Sequence, residues 1–382
     1  ANGKLNLGAV DRLLPAPSGK PFALPDMDLA LNDARLALAT DYGAVDIRLE
    51  GKGNLADGFA GTLLANAPTT TVAGVELNAL ASRLAIETER RRILFEGPVS
   101  ATDLSFAGNR LKRPTVRLKG SADESLSSAE AGWTVSAGVE KLAYGAARQL
   151  RGDGHFNLDG GSQRLTANLQ LEGARPASRD RAKIAAAIPG AGGTPVEPLL
   201  RRLRTALAGL DKGSVVTAPV EYRVSAGQRS LFVGPPTIIA ESGARLLGNG
   251  RGLVMPLDSG RSTFDGEFAL SGGGFPVGTV RLALAGGRWT GAARFRPYRA
   301  DGAQLVLTPA DLRYDHAGFG VRTVVTLDGP LGSGRITGLT VSVSLRPGRD
   351  PLAGCFAPSF RAIEIAGLKL APASLSMCLA GK

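Results

Sequence analysis

Apolar and polar residues alternate with a period of two in run after run of this chain. Leu36 and Leu38 alternate with Arg35, Ala37 and Ala39, and Val45, Ile47 and Leu49 alternate with Asp46, Arg48 and Glu50. The pattern returns at Leu165, Ala167, Leu169 and Leu171, at Val280, Leu282 and Leu284, and at Leu339, Val341, Val343 and Leu345. Successive side chains of a strand point to opposite faces, so each run has one apolar and one wet face. The expected fold is mainly β: long, mostly antiparallel, one-sided sheet with almost no helix to cover it. The functional question is what meets the apolar side.

Composition narrows the answer. Gly (51 of 382 residues) and Pro (23) are frequent, as expected where many short strands are joined by turns. Aromatic residues make up only 5%, so Leu, Val and Ala must supply the buried area that bulky rings usually give a sandwich. Two Trp and five Tyr are too few for the two aromatic girdles of an outer-membrane barrel. The net charge is +11, but the basic residues are spread singly along the strands. The clusters are short, Arg90–Arg92 and Arg201, Arg202 and Arg204, with no aromatic platform among them for stacking bases. Nucleic acid is therefore not an expected partner. A solvated wet face accounts for the charge, with attraction to anionic lipid headgroups as the second reading.

Along the chain, residues 1–34 read as an extended lead-in and 35–50 as a hairpin through Asp41-Tyr42-Gly43. Gly51-Lys52-Gly53 reads as a glycine-rich link to a strand near Phe59–Leu64, with four or so strands over 72–119 and three over 131–171. A Gly-x-Gly pair recurs at Gly51 and Gly53, Gly152 and Gly154, and Gly248 and Gly250, roughly one hundred residues apart, the spacing of a long internal repeat or of chance in a Gly-rich chain. Residues 178–213 break the strand pattern. Arg179–Ile188 is Ala-rich and helix-competent. Thr194 is a candidate N-cap, with Pro195 at the first helical position of a second helix. Leu199, Leu200, Leu203, Leu207 and Leu210 follow the i, i+3, i+4 rule, and Gly213 is a stop. The division is thus 1–177 sheet, 178–213 helical insertion and 214–382 sheet. The helix either plugs one end of a sheet or touches lipid with a basic amphipathic surface. Leu199, Leu203, Leu207 and Leu210 are expected to face the groove.

Chemistry finds little purchase. His155 and His316 each have an Asp nearby but no partner motif for a triad or a metal. No G-x-S-x-G, H-E-x-x-H or P-loop is present, and no cofactor is expected. Cys355 and Cys378 are the two cysteines, without metal spacing. A disulfide in an oxidising compartment is the first reading, and two separate thiols the alternative. No signal peptide or long apolar run is seen, which is compatible with a piece of a longer protein.

The C-terminal segment carries a resemblance. Cys355-Phe356-Ala357-Pro358-Ser359-Phe360 is followed by Ile363-Glu364-Ile365-Ala366-Gly367-Leu368-Lys369-Leu370-Ala371-Pro372 and Leu375-Ser376-Met377-Cys378. This arrangement resembles the YdbH family of Gram-negative envelope proteins, as do Ala34–Leu38, Tyr42-Gly43, Gly51–Leu55 and Asp57-Gly58-Phe59 near the other end. The family belongs to the AsmA-like group. The resemblance implies a periplasmic body, an inner-membrane anchor outside this sequence, and a long sheet curved lengthwise, taco-like, into an elongated apolar groove carrying phospholipids between inner and outer membranes. On that reading the chain is not an enzyme. Phospholipid acyl chains are its partner, and the groove lining is represented by Leu36, Leu38, Val45, Ile47, Leu49, Leu165, Leu169, Val280, Leu282, Val341, Val343 and Leu345. The alternatives are a structural or adhesive β-repeat protein with packed sheets and no lipid, and a β-rich envelope enzyme.

Overall fold

The computed structural model describes residues 23–72, 74–186, 188, 190–258, 260–316, 318–345, 354–374 and 377–379. The protein is mainly β, and every described ladder is antiparallel. Its contacts divide it into two units. The first takes in the described residues up to Ala143, Gln149–Ala167 and Arg223–Gly227. The second takes in Tyr144–Arg148, Asn168–Tyr222 and the described residues from Gln228 on. The described helical segment falls within the second unit.

The strands of the N-terminal half are β1 (Asp28–Thr40), β2 (Gly43–Asn54), β3 (Ala60–Val72), β4 (Val75–Glu89), β5 (Arg92–Ser100), β6 (Asp103–Phe106), β7 (Asn109–Asp123), β8 (Ser128–Lys141), β9 (Gly145–Ala146), β10 (Gln149–Asp159) and β11 (Ser162–Pro176). Within the first unit they run as a meander, β1 to β2 to β3 to β4, then through β5 and β6 to β7, β8 and β10. β5 and β6 both pair with β4 on one side and β7 on the other, so they act as one strand broken at Ala101-Thr102. The expected hairpin over 35–50 is present, turning through Asp41 and Tyr42. Gly51-Lys52-Gly53 is not a link: it lies inside β2, paired with β1 on one side, and Gly51 and Lys52 also face β3 on the other. Glycine is a turn residue in isolation, but Gly51 is needed here because the Phe59 ring lies over it. A Cβ at Gly51 would fall 2.6 Å from Cζ of Phe59.

The second half contains α1 (Ser178–Ala186) and α2 (Glu197–Ala208), followed by a 3-10 turn Gly209–Lys212. Then come β12 (Ser214–Ser225), β13 (Gln228–Val233), β14 (Thr237–Ala240), β15 (Arg245–Pro256), β16 (Thr263–Ser271), β17 (Gly278–Ala285), β18 (Arg288–Phe295), β19 (Tyr298–Ala300), β20 (Ala303–Leu307), β21 (Ala310–Asp315), β22 (Gly318–Leu331) and β23 (Gly334–Leu345). The last short strands are β24 (Gly354–Phe356), β25 (Ser359–Phe360), β26 (Ala362–Ile365), β27 (Leu368–Leu370), β28 (Ala373–Ser374) and β29 (Met377–Leu379). The sheet runs β15, β16, β17, β18, β21, β22, β23. Pro297 and Pro309 fall at the breaks between β18 and β19 and between β20 and β21, where a missing N–H is tolerated. At the second break the Thr308 hydroxyl oxygen accepts the Val324 N–H at 2.8 Å, standing in for a ladder bond.

Helix α2 starts later than expected. Thr194 does not cap it: its hydroxyl donates to the Ala191 carbonyl at 2.5 Å, and Val196 occupies the N-cap position without a side-chain bond. Pro198, not Pro195, lies in the first turn, and the Glu197 carboxylate accepts the Ala191 N–H at 2.7 Å, fixing the approach to the helix. Gly213, at φ 114°, closes the segment as expected, with its N–H bonded to the Leu210 carbonyl.

Candidate functional site

Register determines which side chains share a face, because directly paired residues point the same way. In the first unit one row runs Leu36, Ile47, Ala65, Ser82, Val99, Val116, Val135, Gly152. A parallel row contains Leu49, Leu63 and Leu84, and continues through Gly97, Leu118, Trp133 and Gly154. Leu38 faces Val45 at the end of the first hairpin. Of the sequence-predicted residues, Leu36, Leu38, Val45, Ile47 and Leu49 therefore stand together on one apolar face. The opposite face carries Arg48, Glu96, Lys119, Glu130 and Arg151. Ion pairs cross its strands, including Lys119 to Glu96 at 2.7 Å, and the Glu96 carboxylate holds the Lys119 ammonium above its usual range. Both partners are exposed, so such pairs add little stability.

The second unit repeats the arrangement. Leu282 continues through Gly291, Leu312 and Val321 to Leu345, while Val280 lies between Phe268 and Ala293. Val341 and Val343 pair with Val325 and Thr323 on the same face of β22 and β23. The side chain of Leu345 lies outside the described residues, although its backbone register is given. Leu165 and Leu169 share one side of β11 by alternation, Leu165 exposed and Leu169 half-buried. They fall in different units. Leu247, in β15, points to the other face and is exposed.

Neither face has the burial of a packed core. The lining residues are half-buried, and among the described residues no large side chain is fully buried. The most buried apolar positions are largely alanines, such as Ala67, Ala137 and Ala303. Among the described residues no helix belongs to the first unit. In the second unit one end of the face is covered by α2. Leu199, 3% exposed, packs with Tyr298, Ala303 and Leu327, with Leu305 and Leu339 around them. Leu203, Leu207 and Leu210 are half-buried. The Arg202 guanidinium lies 5.5 Å from the Tyr298 ring centroid and donates to the Arg299 carbonyl, and Arg201 reaches Asp301 at 2.7 Å. Burial raises the Tyr298 phenol above its usual range, and its hydroxyl donates to the Gly274 carbonyl at 2.7 Å. At the other end of the same face the row Phe264, Leu284, Trp289, Tyr314, Phe319 carries no helix over it among the described residues, and Tyr314 and Phe319 are more than half exposed.

Sequence reasoning missed the rings in these faces, Trp133, Phe264 and Trp289 among them. Each sits at an apolar position of an alternating strand, so the signal was present. What it lacked was the partner: Trp133 lies over Gly154 and Phe264 over Gly266. His155 lies exposed on the wet face of β10, and His316 in the turn after β21. The Cys355 and Cys378 side chains lie outside the described residues, but their backbones pair directly across β24 and β29. No known protein-family model matches the chain, and no curated protein matches it.

Proposed function

We propose that the protein is a non-enzymatic carrier or conduit for phospholipid, holding acyl chains against the apolar faces of its sheets while the headgroups stay near water. The observation that carries this reading is the row of half-buried, largely apolar positions across the first unit, interrupted at Ser82 and Gly152, in a unit that contains no helix among the described residues. A face of this kind gains about 0.8 kcal/mol for every CH₂ it removes from water. A strand of six or seven residues spans about 20 Å, comparable to an acyl chain. The resemblance of the terminal segments to the YdbH family supports a periplasmic setting, with phospholipid moving between inner and outer membranes along the lengthwise groove of an AsmA-like body. No bond is made or broken in such a task.

The test is a photo-crosslinking residue placed in cells at Ile47 or Leu282, and in parallel at Arg48 or Arg281. Arg48 and Arg281 lie one position along, on the wet face, where they approach Asp33 at 3.9 Å and Asp265 at 3.5 Å. Phospholipid should be captured at the apolar positions alone. Equal labelling of both faces, or none, would reject the lipid reading and favour a β-repeat protein whose sheets pack on one another.

A further inference from the structure

The third Gly-x-Gly pair includes a residue that the lipid reading does not use. Asn249 precedes Gly250 in β15, and both are exposed. The ladder with β16 pairs Asn249 with Glu267 and resumes only at Gly252 with Asp265, so Gly250 and Arg251 form a bulge. Gly250 sits at φ 112°, which a residue with a side chain rarely adopts. Its N–H is bonded to the Oδ1 of Asn249 at 2.7 Å. The carboxamide is thus folded back over the backbone nitrogen that follows it, and no side chain on Gly250 screens that nitrogen.

We infer that Asn249 is a site of spontaneous deamidation in the folded protein, with water as the only co-reactant. Hydroxide removes the Gly250 amide proton, and the nitrogen attacks Cγ of Asn249. The N–Cγ bond forms, the Cγ–Nδ2 bond breaks, and Nδ2 takes up a proton and leaves as ammonia. Water then opens the five-membered imide at either carbonyl, giving aspartate or isoaspartate. A regular ladder would oppose this by holding the backbone extended, but here the attacking nitrogen lies in the bulge. Three other described Asn side chains are held differently. The carboxamides of Asn54, Asn78 and Asn109 donate to Asp26, to Glu76 and Asp103, and to the Phe106 carbonyl, and each is followed by a residue with a side chain. The new carboxylate would stand opposite Glu267, a like-charge pair across the strands.

The test incubates the folded protein at mildly alkaline pH and follows the tryptic peptide Leu246–Arg251 by mass spectrometry, with isoaspartate detected enzymatically. The same peptide is followed in the urea-unfolded chain. Conversion of –NH₂ to –OH should proceed in the folded protein within about tenfold of the unfolded rate, and faster as pH rises. Asn249→Gln should abolish it while melting at the same temperature. A folded rate slower than that bound would overturn the inference, because the fold would then protect the site. So would a signal that persists in Asn249→Gln.

Discussion

A methyl group added at Gly154 would come within 2.4 Å of Cζ2 of Trp133 and 2.0 Å of the Thr166 carbonyl oxygen. One contact is with a packed ring and the other with backbone, so neither can yield cheaply. Gly154→Ala should destabilise the first unit by about 1–3 kcal/mol, read as a lower urea midpoint, and should shift Trp133 emission as the indole is displaced. Asp123 gives a different residue-scale expectation. The Ser125 hydroxyl first, then the Ser128 N–H and the Ser127 hydroxyl, hold its carboxyl down to about 2 from an ordinary 3.8. The folded value lies below the unfolded one, so this stabilisation is present above the unfolded value and is lost as pH falls through about 2. A carboxyl titration by NMR should place its midpoint there, and Asp123→Asn should flatten the dependence of stability on pH in that window. A midpoint in the ordinary carboxylate range would show that the serines do not hold the charge.

Helix α2 depends on Leu199, whose neighbours Tyr298, Ala303 and Leu327 lie far along the chain in and around β19 to β22. Leu199→Ala should cost about 2–5 kcal/mol by leaving a cavity under the helix. Changing Leu203 and Leu207 together to Asp should release the helix from the sheet, seen as new protease cleavage between α1 and β12. Unchanged melting and unchanged cleavage would count against docking through this face. The directly opposed backbones of Cys355 and Cys378 are compatible with a cross-strand disulfide. Closing that loop would stabilise by about 3 kcal/mol on the chain-entropy account. Intact mass with alkylation but no reductant should find no free thiol. At this scale much was legible beforehand: the i, i+3, i+4 leucines located α2, and alternation located β1 and β2. The start of α2 was not legible, because it depends on the Glu197 carboxylate taking the Ala191 N–H. Thr194 and Pro195 offered the more familiar signal. Gly51 and Gly53 were misread for a similar reason, since the ring over Gly51 comes from beyond the turn.

Across the whole molecule, apolar rows that are only half-buried should leave a measurable trace. Native protein should bind a hydrophobic fluorescent dye without denaturant, phospholipid should displace that dye, and added salt should not. Organic extraction of the purified protein should yield phospholipid by mass spectrometry. Protein that binds no dye and carries no lipid would point to sheets closed against one another. The sequence showed that apolar faces exist. It could not show whether something packs on them, because that depends on elements far apart in the chain and on register, not on pattern.

No described ladder of the first unit joins strands more than two places apart in chain order. Each pairing therefore asks the chain to close only a short loop, and the entropy of bringing distant segments together, which slows most β proteins, is largely avoided. The meander can form hairpin by hairpin, in the order in which a ribosome or a translocation pore delivers it, each new strand finding its template already in place. A chain with so many half-buried apolar positions gains from that order of events. The interval in which an unpaired strand is free to meet the wrong neighbour lasts only as long as the next turn takes to emerge.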